Sequence, residues 1–278
     1  MDFKLERGHI HIPIEIMGKK GTAILDSGAG INGISPDMLV KFGDQFRRDS
    51  KMRIQGVYGT EKKQVYSQIP VKMFGETFTL DKFVEGNFGS ADVLLGLSFF
   101  RAFVVQIDYP HSKLRMMTRD ALDMSHLSNV PMKKNPSTLL PLVKVDINGS
   151  GNIWLTFDTG NAGGILLNDK AMSYLGLTPK KNEERKIGVS AGMNSTFALN
   201  ELFTLNSVKI GPFELENVQG THALSGQKNN MDNHGGGNRL SSRNGKSSLG
   251  LLGFDVLKHF VVTIDYSKTL LNLSLPDE

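Results

Sequence analysis

The chain has 278 residues, of which 39% are hydrophobic, and a formal net charge of +4 at pH 7. This is enough apolar material for one large packed domain or two small ones. The absence of cysteine excludes disulfides, zinc–thiolate sites and thiol nucleophiles. The basic residues are scattered, which argues against nucleic acid or a membrane surface as a partner. There is no run of about 18 apolar residues, so we expect no transmembrane helix.

The first predicted elements are two strands joined by a turn. Residues 9–16 alternate between isoleucine and mostly polar residues, the pattern of a half-buried strand. Residues 17–21 predict the turn, and the apolar residues 23–25 then lead directly into Asp26. A carboxylate at the end of a buried strand costs several kcal/mol unless a partner stabilises it, so we expect a partner for Asp26.

Two histidines, His9 and His11, lie on the polar face of the first predicted strand. Together they could hold a metal ion, but the sequence suggests no third ligand. We therefore favour solvent-facing histidines over a metal site.

The rest of the first half predicts short strands and short helices. Ser35 as N-cap, Pro36 at the first helical position and Gly43 after the last one predict a helix. The elements that follow are a strand–turn–strand unit at 52–66, β structure at 71–83, a strand at 93–96 leading into a helix at 98–102, a strand at 103–108, a turn at Pro110, a strand to Met117, and a helix at 118–129. The polar residues 131–137 predict a linker.

A second acid occurs 132 residues after the first, in Asp158-Thr159-Gly160, and again follows an apolar strand. By chance, Asp-Ser/Thr-Gly is expected in roughly one chain in eight of this length, so a single copy is weak and is also typical of turns. Two copies behind two apolar strands are stronger. They suggest two carboxyl groups that face each other across a two-fold axis.

The surroundings of the two acids repeat as well. The matching segments are a strand at 142–147 with a turn at 148–149, a helix from Asn168 to Gly176, Gly188-Val189 against Gly56-Val57, and 251–254 against 94–97. The clearest match is 260–266 against 103–109, now offset by 157 residues. The extra residues form a Gly-, Asn- and Ser-rich tract at 225–248, which we expect to be disordered because it has almost no apolar content.

We therefore predict a tandem duplication of one β-rich unit. The predicted divisions are a first lobe at 1–118 that carries Asp26, a connecting segment with a short helix at 119–138, and a second lobe at 139–278 that carries Asp158 and the insertion. Each repeat is too long for a solenoid unit and suits two lobes that pair with each other.

A strand, Asp-Ser/Thr-Gly, a loop, a hairpin and an apolar-apolar-Gly segment occur in duplicate between about residues 9 and 273. This set resembles the aspartic peptidases. Each lobe is similar to the retropepsin half, whereas both acids on one chain resemble the pepsin arrangement; bacterial retropepsin-like aspartyl proteases combine the two. The resemblance implies an all-β, bilobal acid-protease-type β-barrel fold, with two pseudo-two-fold-related lobes and a few short helices.

The resemblance also implies the roles of particular residues. Asp26 and Asp158 would be the catalytic dyad. Active-site support would come from Ser27, Gly28, Ala29, Leu95 and Gly96 in the first lobe and from Thr159, Gly160, Asn161, Leu252 and Gly253 in the second. Flap and substrate-binding residues would be Gly56, Val57, Tyr58, Gly59 and Thr60, which include a Tyr-Gly-Thr similar to that of the pepsin flap, and Val189, Ser190, Ala191 and Gly192.

Two features depart from the family pattern. Asn161 stands where Ser, Thr or Ala is usual, which bears on the hydrogen bonds around Asp158. The second hairpin, at 189–193, has no aromatic residue.

Hydrolysis of a peptide bond by water needs one group that accepts a proton and one that donates it. Two carboxylates about 4 Å apart repel by roughly 4 kcal/mol at an effective dielectric of about 20. The pair therefore keeps one proton well above the usual carboxyl pKa. The implied function is an aspartic endopeptidase whose dyad activates water, with an acidic pH optimum and no metal or cofactor.

The implied partner is a peptide or protein substrate in an extended conformation, with no nucleic acid partner. One chain supplies both lobes, so we expect a monomer. The first residues, Met1-Asp2-Phe3-Lys4, lack the apolar segment of a signal peptide. We expect an exported protein if Met1 was added to a mature chain, and a cytoplasmic one otherwise.

Two other functions remain open at this point. One is a catalytically silent peptide-binding or inhibitor-like protein on the same fold, and the other is a structural β-protein in which Asp26 and Asp158 are turn residues only. Two interpretations of Tyr58 also remain, a flap residue or a half-buried aromatic residue of a sheet. The residues interpreted as structural are Asp108, Asp265 and, in the core, Trp154.

Overall fold

The computed structural model describes residues 1–55, 60–179, 185–191, 197–224 and 248–277. The protein is all-β with a few short helices, as the sequence predicts. The helices of the described ranges are all too short and too polar to cross a bilayer. Residues 56–59 of the flap tip predicted at 56–60, and residues 225–247 of the predicted insertion, lie outside the described residues.

Strands dominate the first part of the chain. They are β1 (Lys4–Glu6), β2 (His9–Ile16), β3 (Lys19–Leu25), β4 (Asn32–Ile34), β5 (Arg47–Arg48), β6 (Met52–Gln55), β7 (Thr60–Lys63), β8 (Val65–Ser67), β9 (Ile69–Met73), β10 (Glu76–Leu80), β11 (Phe83–Glu85) and β12 (Val93–Leu95). They form a sheet in the order β10-β9-β2-β3-β12-β4-β11-β8-β5, with β1 on β2, while β6 and β7 pair as a separate hairpin.

The remaining strands form two further sheets. They are β13 (Val104–Asp108), β14 (Lys113–Met117), β15 (Met132–Lys134), β16 (Pro141–Ile147), β17 (Asn152–Phe157), β18 (Ile165–Leu167), β19 (Lys186–Ala191), β20 (Phe197–Ile210), β21 (Phe213–Ala223), β22 (Gly250–Leu252), β23 (Val261–Asp265) and β24 (Leu270–Ser274). One sheet has the order β15-β16-β17-β22-β18-β21-β20-β19 with an added β16–β20 pairing, and the other has the order β14-β13-β23-β24.

The helices are short and most begin at a capping side chain. They are α1 (Pro36–Phe42), α2 (Leu97–Ala102), α3 (Met124–Leu127), α4 (Asp169–Tyr174) and α5 (Phe254–Leu257), with a 3₁₀ turn at Gly43–Gln45. The predicted caps are confirmed, since Ser35 accepts from the Met38 N–H and Asn168 accepts from the Ala171 N–H. The predicted helix at 118–129 is wrong in length. Only α3 forms, because Met124 alone among its residues is buried and little apolar burial supports a longer helix.

The two large sheets contain the same set of strand pairings. Strand β12 runs parallel to β3 and antiparallel to β4, and β4 runs parallel to β11. In the second sheet, β22 runs parallel to β17 and antiparallel to β18, and β18 runs parallel to β21. The chain therefore leaves β3 and β17 at equivalent positions, and the residues that follow are Asp26 and Asp158.

A four-stranded sheet joins the two parts of the chain. Its central strands β13 and β23 are the repeated segments found in the sequence, and they pair with each other antiparallel. The register is symmetric about Gln106 and Thr263, and the Gln106 Nε2 donates to the Thr263 Oγ1 at 3.1 Å. A single apolar core, with members from both large sheets, continues through this region.

Asp108 and Asp265, which end these two central strands, have the structural role predicted from the sequence. The Asp108 carboxylate accepts from the His111 N–H at 3.0 Å, and the Asp265 carboxylate accepts from the Lys268 N–H at 3.2 Å. Asp265 is buried and forms an ion pair with Arg119. Each acid therefore closes the turn that follows its strand.

Three sequence predictions in the second large sheet, or next to it, need correction. Part of the predicted linker is strand β15, an edge strand whose lysines suit an exposed edge. Ser248 was predicted to be disordered, but it is buried and accepts from the Thr156 N–H at 3.1 Å, so it belongs to the core. Trp154 is only half-buried, because its ring packs under the Lys133 ammonium at 3.9 Å rather than in the core.

Candidate active site

Two equivalent loops carry the two acids. The Asp26 N–H donates to the Leu95 carbonyl at 2.9 Å, and the Asp158 N–H donates to the Leu252 carbonyl at 3.0 Å. Both leucines are fully buried. Each acid is thus anchored by its main chain to the central strand of its own sheet.

The hydroxyl residues that follow the acids connect the two loops. The Ser27 N–H donates to the Thr159 Oγ1 and the Thr159 N–H donates to the Ser27 Oγ, both at 3.0 Å. The Ser27 hydroxyl also donates to the Phe157 carbonyl at 2.8 Å, and the Thr159 hydroxyl donates to the Leu25 carbonyl at 2.9 Å. All four hydrogen bonds are buried, so they fix the position of each loop relative to the other.

The glycines of the two loops bring the carboxyl groups together. A Cβ atom at Gly28 would lie 2.5 Å from the Asp158 Oδ1, and one at Gly160 would lie 2.6 Å from the Asp26 Oδ1. Only glycine leaves room for the opposite acid at these positions. Each carboxyl group therefore lies against the loop that carries the other acid, close enough for each acid to influence the pKa of the other.

The two acids have unequal surroundings. Asp158 is buried and its Oδ1 accepts from the Gly160 N–H at 2.9 Å. Asp26 is half-buried, and its Oδ1 has no hydrogen-bond partner among the described residues. Burial, followed by the charge of Asp26, raises the pKa of Asp158 well above its usual range. Burial also raises the pKa of Asp26, but hydrogen bonds from Asp158 and from main-chain N–H groups oppose this effect.

The backbone of each acid loop packs closely against a glycine at the end of the central strand. A Cβ atom at Gly96 would lie 2.7 Å from the Ala29 carbonyl oxygen, and one at Gly253 would lie 2.5 Å from the Asn161 carbonyl oxygen. The Asn161 side chain does not disturb the Asp158 carboxyl. It donates to the Gly164 carbonyl at 3.2 Å and accepts from the Gly163 N–H at 3.1 Å, so it closes its own loop.

Asn32 also supports the first loop, and the sequence reasoning missed it. Its Oδ1 accepts from the Gly96 N–H and from the Ser98 hydroxyl, both at 2.9 Å. In the second loop the Gly253 N–H donates instead to the main-chain carbonyl of Gly164 at 2.9 Å. Gly164 follows Asn32 by 132 residues, the offset between the two acids, so the repeat itself could have drawn attention to this position.

His9 lies close to the acid pair. The predicted turn at 17–21 is too long: the turn is Met17–Gly18, both at positive φ, and β3 begins at Lys19. The β2–β3 register, continued by two residues, places His9 opposite Asp26. The His9 Nε2 is 3.1 Å from the Gly160 carbonyl, which can only accept, so the nitrogen donates. The charge of His9 contributes to lowering the pKa of Asp26, though less than burial raises it.

The sequence prediction was wrong about His11 and did not identify Tyr109. His11 was predicted to face solvent, but it is only 6% exposed, on a strand that pairs with β1 on one side and β3 on the other. Tyr109 is buried against Phe3 and Phe254. Burial, with a contribution from the charge of Asp158, raises the pKa of Tyr109, so it stays a neutral phenol near the second acid.

The predicted flap residues are only partly described. Thr60 begins β7 and is exposed, and Val189 and Ser190 lie on β19, with Val189 67% exposed. The Ser190 hydroxyl accepts from the Asn200 side chain at 2.7 Å. Ala191 ends β19, and its side chain is outside the described part. The predicted flap residues outside the described ranges are Gly56, Val57, Tyr58, Gly59 and Gly192.

Within the described ranges, no group of three or more His, Asp or Glu side chains is arranged to hold a metal ion.

A search of curated proteins found no match to this chain. Residues 143–256, which include Asp158 and Gly253, match the family model described as aspartyl protease. This part of the chain, which includes the second acid loop, is therefore similar to aspartyl protease domains.

Proposed function

We propose that this chain is an aspartic endopeptidase in which Asp26 and Asp158 share one proton and activate a water molecule. The observation that carries the proposal is the approach of the two carboxyl groups from two loops that are hydrogen-bonded to each other. The similarity of residues 143–256 to aspartyl protease domains supports it, since that similarity suggests aspartic peptidase activity. The match contains Asp158, and the strand pairings around Asp26 are equivalent.

The unequal surroundings of the acids suggest their roles. Asp158 is the more deeply buried acid, with the more strongly raised pKa, so it holds the proton and donates a hydrogen bond to Asp26. In the proposed reaction, ionised Asp26 takes a proton from the bound water while protonated Asp158 donates to the oxygen of the scissile carbonyl, and the water oxygen bonds to the carbonyl carbon. When the C–N bond breaks, Asp26 gives its proton to the leaving nitrogen, and Asp158 takes back its proton as the carbonyl re-forms. This chemistry needs neither a metal ion nor a cofactor.

We also propose that the chain is a duplicated, two-lobed molecule with lobes at 1–118 and 139–278 and a connection at 119–138. The equivalent pairings of the two large sheets support this, and so does the symmetric pairing of β13 with β23. A single chain supplies both acids, so a monomer is sufficient for activity.

The substrate proposed is an extended peptide between the lobes, covered by the β6–β7 and β19–β20 hairpins. The second hairpin supports this role through its composition. Val189 and Leu199 pair across it, and Ile187 and Phe197 lie on the same face; all four are exposed. Exposed apolar residues that lie together are typical of a surface that binds another chain.

The test is cleavage of a mixed peptide library between pH 3 and 8 by the wild type, Asp26→Asn and Asp158→Asn. We expect maximal wild-type cleavage below neutrality, because activity is lost once the shared proton dissociates. Each variant should lose at least about 10³-fold in kcat/KM, since removal of one member disables the pair. Asp108→Asn is the matched control, because it also ends an apolar strand and keeps the oxygen that caps its turn. Retained cleavage in either dyad variant would refute the proposal.

A further inference from the structure

A cavity of about 640 Å³ opens beside Asp26 and Gly160, the point at which the two acid loops meet. We call it the Asp26 cavity. Besides these two residues, its wall includes an apolar group (Ile24, Phe88 and Leu94) and a polar group (Glu6, His9 and His11). Because it adjoins Asp26, one of the two proposed catalytic acids, a side chain that enters it belongs to a residue next to the scissile bond.

The apolar wall of the Asp26 cavity is closely packed. Ile24, Phe88 and Leu94 are buried members of one small cluster. The Phe88 ring packs directly on backbone, since a Cβ atom at Gly33 or at Gly86 would overlap it. A closely packed apolar wall of this kind favours an aromatic ring, which buries a large area in one orientation.

His11 adds a hydrogen-bonding group to this wall. It is 6% exposed, and its Nδ1 has no hydrogen-bond partner among the described residues. A buried polar atom without a partner is unfavourable by roughly 1–3 kcal/mol. Burial lowers the pKa of His11, more than Glu6 raises it, so the ring stays neutral and can donate or accept according to its tautomer. Because His11 lines the cavity wall, a polar group that enters the cavity can hydrogen-bond to the edge of the ring that the wall exposes.

The charges around the cavity favour neither a positively nor a negatively charged side chain. Glu6 and Asp26 contribute carboxylates, whereas Arg7 contributes a guanidinium and His9 an imidazole. A side chain with a full charge would therefore meet a like charge whichever sign it carried. A neutral group that both donates and accepts, such as a hydroxyl, avoids this repulsion.

We propose that the Asp26 cavity is a specificity pocket that selects tyrosine next to the scissile bond, with the ring on the Phe88 wall and the hydroxyl hydrogen-bonded to His11. This inference rests on the proposed peptidase function. It makes His11 a specificity-determining residue rather than a catalytic one.

The experiment compares peptides that differ only by Tyr or Phe at each of the two positions that flank the cleaved bond. We expect the wild type to prefer Tyr over Phe by about five-fold in kcat/KM at one of these positions, the value of a typical hydrogen bond. His11→Leu should lose the preference, and His11→Asn, which keeps a hydrogen-bonding side chain, should retain part of it. His126→Leu is the matched control, because His126 is exposed and distant in the chain. Thermal unfolding shows whether each variant is folded.

A second readout separates this inference from the proposed function. The same peptides are titrated into Asp26→Asn, with and without His11→Leu, and their binding is followed by fluorescence anisotropy. If the wild type cleaves no peptide, the peptidase proposal fails, whereas a His11-dependent preference for Tyr in binding still supports the pocket. Equal use of Tyr and Phe in both readouts overturns the pocket, and so does a Tyr preference that survives His11→Leu.

Discussion

The two acid loops reach the same geometry with different side chains. In the first, the Gly96 N–H is held by the side chain of Asn32, six residues after Asp26. In the second, the equivalent N–H is held by the main chain of Gly164, and the asparagine lies at Asn161, three residues after Asp158. The main-chain hydrogen bonds of both acids are nevertheless equivalent. The comparison shows that the position of the acid is the same in both loops, whereas the side chain that supports the loop comes from a different position in each.

The hydrogen bonds between the loops should give the largest effect on stability. Thr159→Ala removes one acceptor and one donor, leaving the Ser27 N–H and the Leu25 carbonyl buried without partners. We expect a loss of about 2–4 kcal/mol in the free energy of unfolding, measured by urea denaturation. Ser27→Ala should cost a similar amount, because its two hydrogen bonds are the mirror of those of Thr159.

Thr159→Ser is the control for these variants, because it keeps the hydroxyl and removes one methyl group at a cost of about 1 kcal/mol. A loss in Thr159→Ala no greater than that of Thr159→Ser would show that the four hydrogen bonds do not stabilise the loops.

The two asparagines give the next largest effect and test the difference between the loops directly. Asn32→Ala leaves the Gly96 N–H buried without its acceptor, so we expect a loss of about 2 kcal/mol. Asn161→Ala should cost about 1 kcal/mol, because the Gly164 carbonyl still accepts from the Gly253 N–H and only the part-buried Gly163 N–H loses its acceptor. The measurement is again urea denaturation. A greater loss in Asn161→Ala would contradict the idea that the main chain has replaced the side chain in the second loop.

Substitution of the two acids should give the smallest effect on stability. The pKa of folded Asp158 is raised, so the folded state binds the proton more tightly than the unfolded chain does. This contribution to stability is present at low pH and is lost as the pH rises through the raised pKa. Asp158→Asn should therefore raise the Tm at pH 7 by about 2–4 °C, with a smaller change at pH 3.5.

Asp26→Asn is the matched comparison for this last effect. Its gain in Tm at pH 7 should be smaller, since the surroundings of Asp26 raise its pKa less. A larger gain for Asp26→Asn than for Asp158→Asn would reverse the assignment of the proton, and a gain that is larger at pH 3.5 than at pH 7 would argue against a shared proton.

The parts of the fold that could be predicted from the sequence depend on residues that are close together in the chain. Ser35 and Asn168 cap their helices as predicted, since the cap, the first helical residue and the end of the helix lie within a few residues of one another. The prediction of a helix at 118–129 was wrong because the sequence does not show how little of this segment packs against the core. The prediction that Trp154 lies in the core was also wrong. A large apolar residue on an inner strand usually lies in the core, but here a lysine covers the ring.

The candidate site shows the same limit. The two Asp-Ser/Thr-Gly segments are visible as a repeat, and the structure brings Asp26 and Asp158 together. His9 was within reach of prediction, because a two-residue turn fixes the hairpin register that places it opposite Asp26. The burial of His11 was not within reach, because it arises from tertiary contacts of β2 that no local pattern shows.

The sequence by itself determined the strand-rich class, the repeat and the residues at the end of each acid-bearing strand, because these depend on periodicity and on residues that are neighbours along the chain. Only the tertiary structure decided which acid is more deeply buried, which polar atoms lack partners and which asparagine supports which loop. Those properties arise from contacts between residues far apart in sequence, where burial and hydrogen bonding set the charge of each group.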